Sequence, residues 1–344
     1  MIRFNNDYNR GAHPAVLEAL NAANTQNYGG YGLDERCAAA AKSIQMHLNC
    51  PGAAVHFLVG GTQVNFTVIA AALRPWQSVI AADTGHIHVH ETGAVEHIGH
   101  KIQALPHTDG KISAAQIKAE AELYRTSGIK EHITHPKMVY LSYPTEFGTL
   151  YSKEELTAIS AVCKEYGMYL FIDGARLAYG LGSPKADITL ADLAALTDAF
   201  YIGGTKCGAL FGEALVLTNP ALQEDFRSSI KQNGGMLAKG WLLGLQFEAL
   251  FKDGLYFELG KKATAYALEF KAAFEKRGIP AYIESFTNQQ FVILTAEQQA
   301  ALAKDFTFEF EADLGGGKAA VRFCTAWSTS REEADKLLAA IERI

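Results

Sequence analysis

The stretch DAFYIGGTKCGALFG, residues 198–212, carries one basic side chain, Lys206, among glycines and apolar residues. An ammonium leaves water only at a cost, so a lysine at this place has two readings. Its stem can snorkel outward from a strand end, or its partly desolvated amine can act as a nucleophile towards a carbonyl. Two other groups occupy similar places. VGGTQVN puts Gly60, Gly61 and Thr62 where a strand turns into a helix, and unbonded N–H groups at a helix start bind phosphate. Asp173 ends the apolar run MYLFID, where a carboxylate needs a cation or firm hydrogen bonds. Arg176 follows closely, and its guanidinium can pair with Asp173 or hold a substrate carboxylate as a bidentate fork.

Short continuous apolar runs alternating with helical patterns must position these groups. AAVHFLVGG, QSVIAAD, KMVYLSYP, MYLFIDGA and AFYIGGTK read as strands; HPAVLEALNAAN, LDERCAAAAKSIQMHLNC, TQVNFTVIAAAL and SKEELTAISAVCKEYG read as helices. Strands of this kind are buried on both faces, which predicts an α/β fold with a doubly wound, mostly parallel sheet and ligand chemistry at the strands' carboxyl ends. Past about residue 220 the pattern changes. GGMLAKGWLLGLQFEALF and YFELGKKATAYALEFKAAFEKRG read as long helices, followed by the strands IPAYIES, QQFVILT and AAVRFCT and the closing helix SREEADKLLAAIERI. The expected division is an N-terminal arm and large domain over 1–245 and a small α+β domain over 246–344.

A phosphate-binding turn, a carboxylate and a lysine, each at a strand end, are the three groups that pyridoxal 5'-phosphate requires: a cradle, an anion for the ring nitrogen and an amine for its aldehyde. A dinucleotide fingerprint and a Gly-Lys-Ser/Thr phosphate loop are both absent from the sequence. The chain resembles the threonine aldolase/β-eliminating lyase family of pyridoxal-phosphate enzymes, which have the aspartate-aminotransferase-like fold. NNDYNRGAHPAVLEAL, YGGYGLDE, GGTQVNFTVI, DTGHIHVHETGA, YPTEFGTLYSKEEL, FIDGARLAYGL, GGTKCGAL, KQNGGMLAKG and VRFCTAWST carry the resemblance, FIDGAR and GGTK most specifically.

The resemblance implies that Lys206 is the Schiff-base lysine, Asp173 the partner of the ring nitrogen and His86 the imidazole stacked on the ring. It assigns Gly60, Gly61, Thr62 and Thr205 to the cofactor phosphate. Arg176 and Arg322, with Asn6 nearby, fall to the substrate carboxylate, and Lys231 to a neighbouring subunit's site in a homodimer or homotetramer. Glu146 and Phe147 stand in PTEFG where a histidine is common in the family, and NNDYN replaces SDT. The implied reaction is retro-aldol cleavage of threonine or a related β-hydroxy-α-amino acid, with His86, a water or Glu146 as base. β-Elimination, a phenylserine-type aldolase and a non-catalytic homologue are the alternatives.

Composition narrows the partners. A net charge of −6 over 344 residues, without a basic block, argues against nucleic acid and anionic membranes; a small-molecule amino acid substrate is what the resemblance implies. Five scattered cysteines without a CxxC pair, and an opening segment lacking a signal-peptide core, lead to the expectation of a cytoplasmic chain. His86, His88, His90 and Glu91 resemble a metal cluster only superficially. On a strand the three imidazoles share a face, on a helix only His86 and His90 do, and no metal is expected.

Overall fold

A computed structural model describes residues 1–344. A short opening strand, β1 (Ile2–Arg3), precedes the helices Pro14–Ala23 and Glu35–Gln45. Seven strands then build the large sheet: β2 (Ala54–Leu58), β3 (Gln77–Ala82), β4 (Lys101–Leu105), β5 (His135–Ser142), β6 (Tyr169–Asp173), β7 (Ala199–Gly203) and β8 (Glu213–Leu217). Their spatial order is β2-β8-β7-β6-β5-β3-β4. Only β8 runs against its neighbours, so β2 and β7, which flank it, point the same way. The carboxyl ends of β2, β3, β5, β6 and β7 therefore share one edge, and the first residue of β8 meets them there.

Alternate side chains project to opposite faces of this sheet. Ile80, Leu141, Ile172 and Phe200 pack into one core layer, while Val79, Tyr140, Phe171 and Tyr201 pack into the other. The helix Gly61–Ala72 covers the second face through Val64, Val68 and Ile69. This double burial is why the runs are continuous rather than alternating in polarity. β4 and β8, and the helices Ala114–Thr126 and Leu190–Leu196, lie outside the elements expected from the sequence.

Residues 255–276 form one long helix, and β9 (Ala281–Ile283), β10 (Gln289–Thr295), β11 (Phe306–Thr307), β12 (Glu309–Gly315) and β13 (Lys318–Cys324) follow. A four-stranded antiparallel sheet, β12-β13-β10-β9, carries the closing helix Arg331–Ile341. The chain's start belongs with this end: β1 pairs in parallel with β11, and Phe4 packs against Phe270 and Phe306.

The helix expected to begin at GGMLAKG instead begins at Trp241. Gly234 has a φ of 73°, and Gly240 lies so close to Gly32 that a Cβ would come within 2.6 Å of its nitrogen. The positive φ at Gly234 interrupts a helix there, and the close approach at Gly240 admits only glycine. Helix Trp241–Phe251 packs on Glu35–Gln45, and the proposed division at 245/246 falls inside it.

Candidate active site

The shared strand edge gathers the chemistry-bearing groups around a cavity of about 270 Å3, lined among others by Gly60, Gly61, Thr62, His86, Asp173, Tyr201, Thr205, Lys206 and Glu213. Asp173 is the last residue of β6, on the face that also carries Tyr140 and Tyr201. Both tyrosine hydroxyls donate to it, Tyr140 to Oδ2 at 2.6 Å and Tyr201 to Oδ1. Asn65 Nδ2 adds a bond to Oδ2 at 3.1 Å and the Ala175 N–H one to Oδ1 at 3.0 Å. Burial alone would raise the Asp173 pKa. The positive potential of His86 and these donors outweigh burial and hold it below the ordinary carboxylate value.

His86 opens a short helix, His86–Val89, just beyond β3. The helical spacing applies: the His86 and His90 rings lie 5.5 Å apart, while His88 and His90 are exposed. His86 Nδ1 lies 2.9 Å from Oε1 of the buried Glu91, which also accepts from Asn65 at 2.8 Å. Burial lowers the His86 pKa, but the Glu91 contact and the Asp173 charge reverse this and leave it raised. Glu146 sits one step behind. Its Oε1 accepts from the His86 N–H at 2.9 Å and from the Ser142 hydroxyl at 2.6 Å, and burial pushes its pKa up.

Lys206 is half-buried in the turn after β7. Burial, reinforced by the Arg176 charge, pulls its ammonium below the ordinary value, more than Asp7, Asp173 and Glu213 raise it. Glu213, the first residue of β8, accepts from the Gly204 N–H at 2.8 Å, and burial pushes its carboxyl up to about 8. Thr205 Oγ1 accepts from the Gly212 N–H at 3.0 Å, which braces the same turn. Opposite, Gly60 is an extended N-cap without a capping side chain, so the first N–H groups of helix Gly61–Ala72 have no side-chain partner at the cavity wall. Gly61 cannot be larger, because a Cβ there would lie 2.8 Å from the Tyr201 hydroxyl.

The arginines are already engaged. Arg176 forms a bidentate pair with Asp7, Nε to Oδ2 at 2.7 Å and Nη2 to Oδ1 at 3.1 Å, and Asn288 Nδ2 also donates to Asp7 at 3.0 Å. Burial opposes the Asp7 charge, but Arg176 overrides it and brings the pKa down to about 2. Arg322 lies 3.3 Å from Glu311 and donates to the Asn5 carbonyl at 3.1 Å, yet its buried Nε has no partner. Asn6 lines a separate cleft with Arg10 and Glu333, although its neighbour Tyr8 reaches the Lys206 cavity. Lys231 is exposed, 5.1 Å above the Tyr31 ring and away from that cavity in the single chain.

A model of the β-eliminating lyase family matches residues 7–330. The chain belongs to this family. It is 30% identical to the low specificity L-threonine aldolase of Pseudomonas sp. (strain NCIMB 10558), over 99% of this chain and 97% of that protein. A solved structure of Leishmania major threonine aldolase superposes with a TM-score of 0.96 at 48% identity, covering 100% of this chain and 99% of that one. Thermus thermophilus aspartate aminotransferase shares the fold, with a TM-score of 0.71 at 16% identity, 100% of this chain and 91% of that one. The architecture is therefore that of the fold type I pyridoxal-phosphate enzymes.

Sequence reading missed Asn65, Asp7, Tyr140, Tyr201 and Glu213. Asn65 lay in plain view within GGTQVN, as a polar residue on the buried face of a helix. The remaining four meet their partners only through strand pairing or contacts between distant parts of the chain, and spacing carries no signal for that.

Proposed function

We propose that the protein is a pyridoxal-phosphate-dependent aldehyde-lyase that cleaves a β-hydroxy-α-amino acid, threonine foremost, into glycine and an aldehyde. The observation that carries this reading is the convergence of Lys206, Asp173 and the uncapped Gly61–Thr62 helix start on one cavity. The donor set fits the group: a weakened lysine charge suits aldehyde capture, an ionised buried carboxylate suits a ring N–H, and the helix start suits a phosphate. When bound, the cofactor supplies an electron sink for the bond broken at the α-carbon.

The chain's own residues do the rest. Gly60, Gly61, Thr62 and Thr205 would hold the phosphate, Lys206 would supply the amine for the aldehyde, Asp173 would accept from the ring nitrogen and His86 would lie beside the ring. Arg322 offers its unpartnered Nε to the substrate carboxylate, while Asp7 orients Arg176 and limits its fork. His86, with Nδ1 turned to Glu91, has Nε2 available to take the β-hydroxyl proton. Glu146 is occupied by the His86 backbone and Ser142, which supports the start of the His86 helix. In a homodimer or homotetramer, exposed Lys231 reaches towards a second copy's phosphate site.

The test is incubation of cofactor-loaded protein with L-threonine. Acetaldehyde and glycine in equal amounts support the reading. Release of 2-oxobutyrate and ammonia makes the protein an eliminating lyase, and cleavage of phenylserine alone makes it an aryl-specific aldolase. A protein that binds cofactor yet turns over none of these is a non-catalytic homologue.

A further inference from the structure

Asn65 is fully buried on helix Gly61–Ala72, with its amide between two carboxylates. Nδ2 donates to Asp173 Oδ2 at 3.1 Å and to Glu91 Oε1 at 2.8 Å. An ionised carboxylate only accepts, so the nitrogen end of the amide must face both. Turned over, the amide would set its oxygen against two anions. Both N–H bonds of Asn65 are therefore engaged, and its Oδ1 has no partner. Glu91 Oε1 takes a second contact from His86 Nδ1 at 2.9 Å. An oxygen that accepts from Asn65 and lies against the imidazole requires the neutral ring to carry its proton on Nδ1. Nε2 is then the basic atom.

We propose that Asn65 is a positioning residue: by bridging Asp173 and Glu91 it holds the Glu91 oxygen against Nδ1 and thereby fixes the tautomer of His86. Two carboxylates close to one another repel unless a donor between them compensates. A single amide that donates to both charged forms supplies that compensation at no cost in net charge. The other Glu91 oxygen, Oε2, is buried without a partner, so all of the orientation of this side chain comes through Oε1. The remaining groups around His86 are the Asp173 carboxylate, the Lys206 ammonium, the His90 ring and Glu146 on the His86 N–H. None of these contacts Nδ1, so the amide–carboxylate link alone selects the tautomer. This inference rests on the proposed reaction only in giving His86 Nε2 a proton to take.

The tautomer is measurable without turnover, by 15N spectra of histidine-labelled protein, with His86→Gln identifying the signal. The wild-type ring is expected as the Nδ1–H form. In Asn65→Ala the two tautomers should mix, and the loaded enzyme should lose about tenfold in kcat with KM little changed. Asn65→Ser replaces that variant if it does not fold. Glu91→Gln is isosteric, and its carbonyl oxygen can still accept from both Asn65 and Nδ1, so it should retain the Nδ1–H form. A wild-type Nε2–H ring, or an unchanged Nδ1–H ring in a folded Asn65 variant, would overturn the proposal. Failure to release acetaldehyde from threonine would remove the functional reading and leave these spectra as they are.

Discussion

Two of the molecule's cavities contrast in their chemistry, and the roomier of the pair is not the reactive one. A cleft of about 400 Å3 lies among Tyr31, Cys37, His56, Arg227, Met236 and Leu243, against about 270 Å3 around Lys206. In the larger cleft burial works against charge on Cys37 and His56. The Cys37 thiol is pushed up to about 12 and the His56 imidazole down to about 4, in each case chiefly by desolvation, so both stay neutral. In the smaller cavity donors and opposite charges face Asp173 and His86 and shift each towards its charged form, against the effect of burial. Lys206 and Glu213 are its exceptions, both weakened in charge and near each other. Volume and apolar lining thus measure room, whereas partnered charge in a dry place measures the capacity for chemistry.

The sharpest break in this comparison is Lys206→Ala. The variant should fold, form no borohydride-stable adduct with pyridoxal phosphate and lose turnover; an adduct mapped to another lysine would contradict the assignment. Asp173→Asn comes next. Removing the charge that four donors maintain should lower turnover by about 10²–10³-fold, read as kcat on threonine.

Third is Asp7→Asn, which leaves Arg176 without its counter-charge and should cost about 3 kcal/mol in thermal or denaturant unfolding. The same pair sets an acid limit. The folded Asp7 pKa of about 2 lies below the ordinary 3.8, so its stability contribution is complete above 3.8 and is lost as the pH falls towards 2. Unfolding curves of wild type and Asp7→Asn should therefore converge over that window.

The smallest effect belongs to the large cleft. His56 has a folded pKa of about 4 against an ordinary 6.5, so it contributes stability above 6.5 that is lost as the pH falls through 4. His56→Gln should flatten that part of the stability–pH curve and leave threonine turnover unchanged.

The legible part of the site was the part written locally. Gly61 and Thr62 at a strand-to-helix turn, Asp173 at the end of an apolar run and Lys206 after the next strand were readable, because each role depends on a few neighbouring residues. His86 came through the resemblance, and only the helix at 86–89 decided that its ring pairs with His90 rather than with His88. Arg176 was read as a substrate fork. Its tight pair with Asp7, 169 residues away, could not be read from either residue's surroundings.

The amino-acid sequence by itself determined the strand and helix alternation, the order of phosphate turn, carboxylate and lysine, and the chemical types available at the strand ends. Hydrophobic periodicity and turn chemistry act over a few residues, and that is the range over which sequence speaks directly. Tertiary structure alone decided which charges survive burial. β8 returning antiparallel brings Glu213 to the edge where Lys206 sits, strand pairing aligns Tyr140 and Tyr201 with Asp173, and Asn65 spans 108 residues to reach it. A charge in a dry interior is kept or lost according to the donors and counter-charges within hydrogen-bond reach, and the fold brings those from distant parts of the chain.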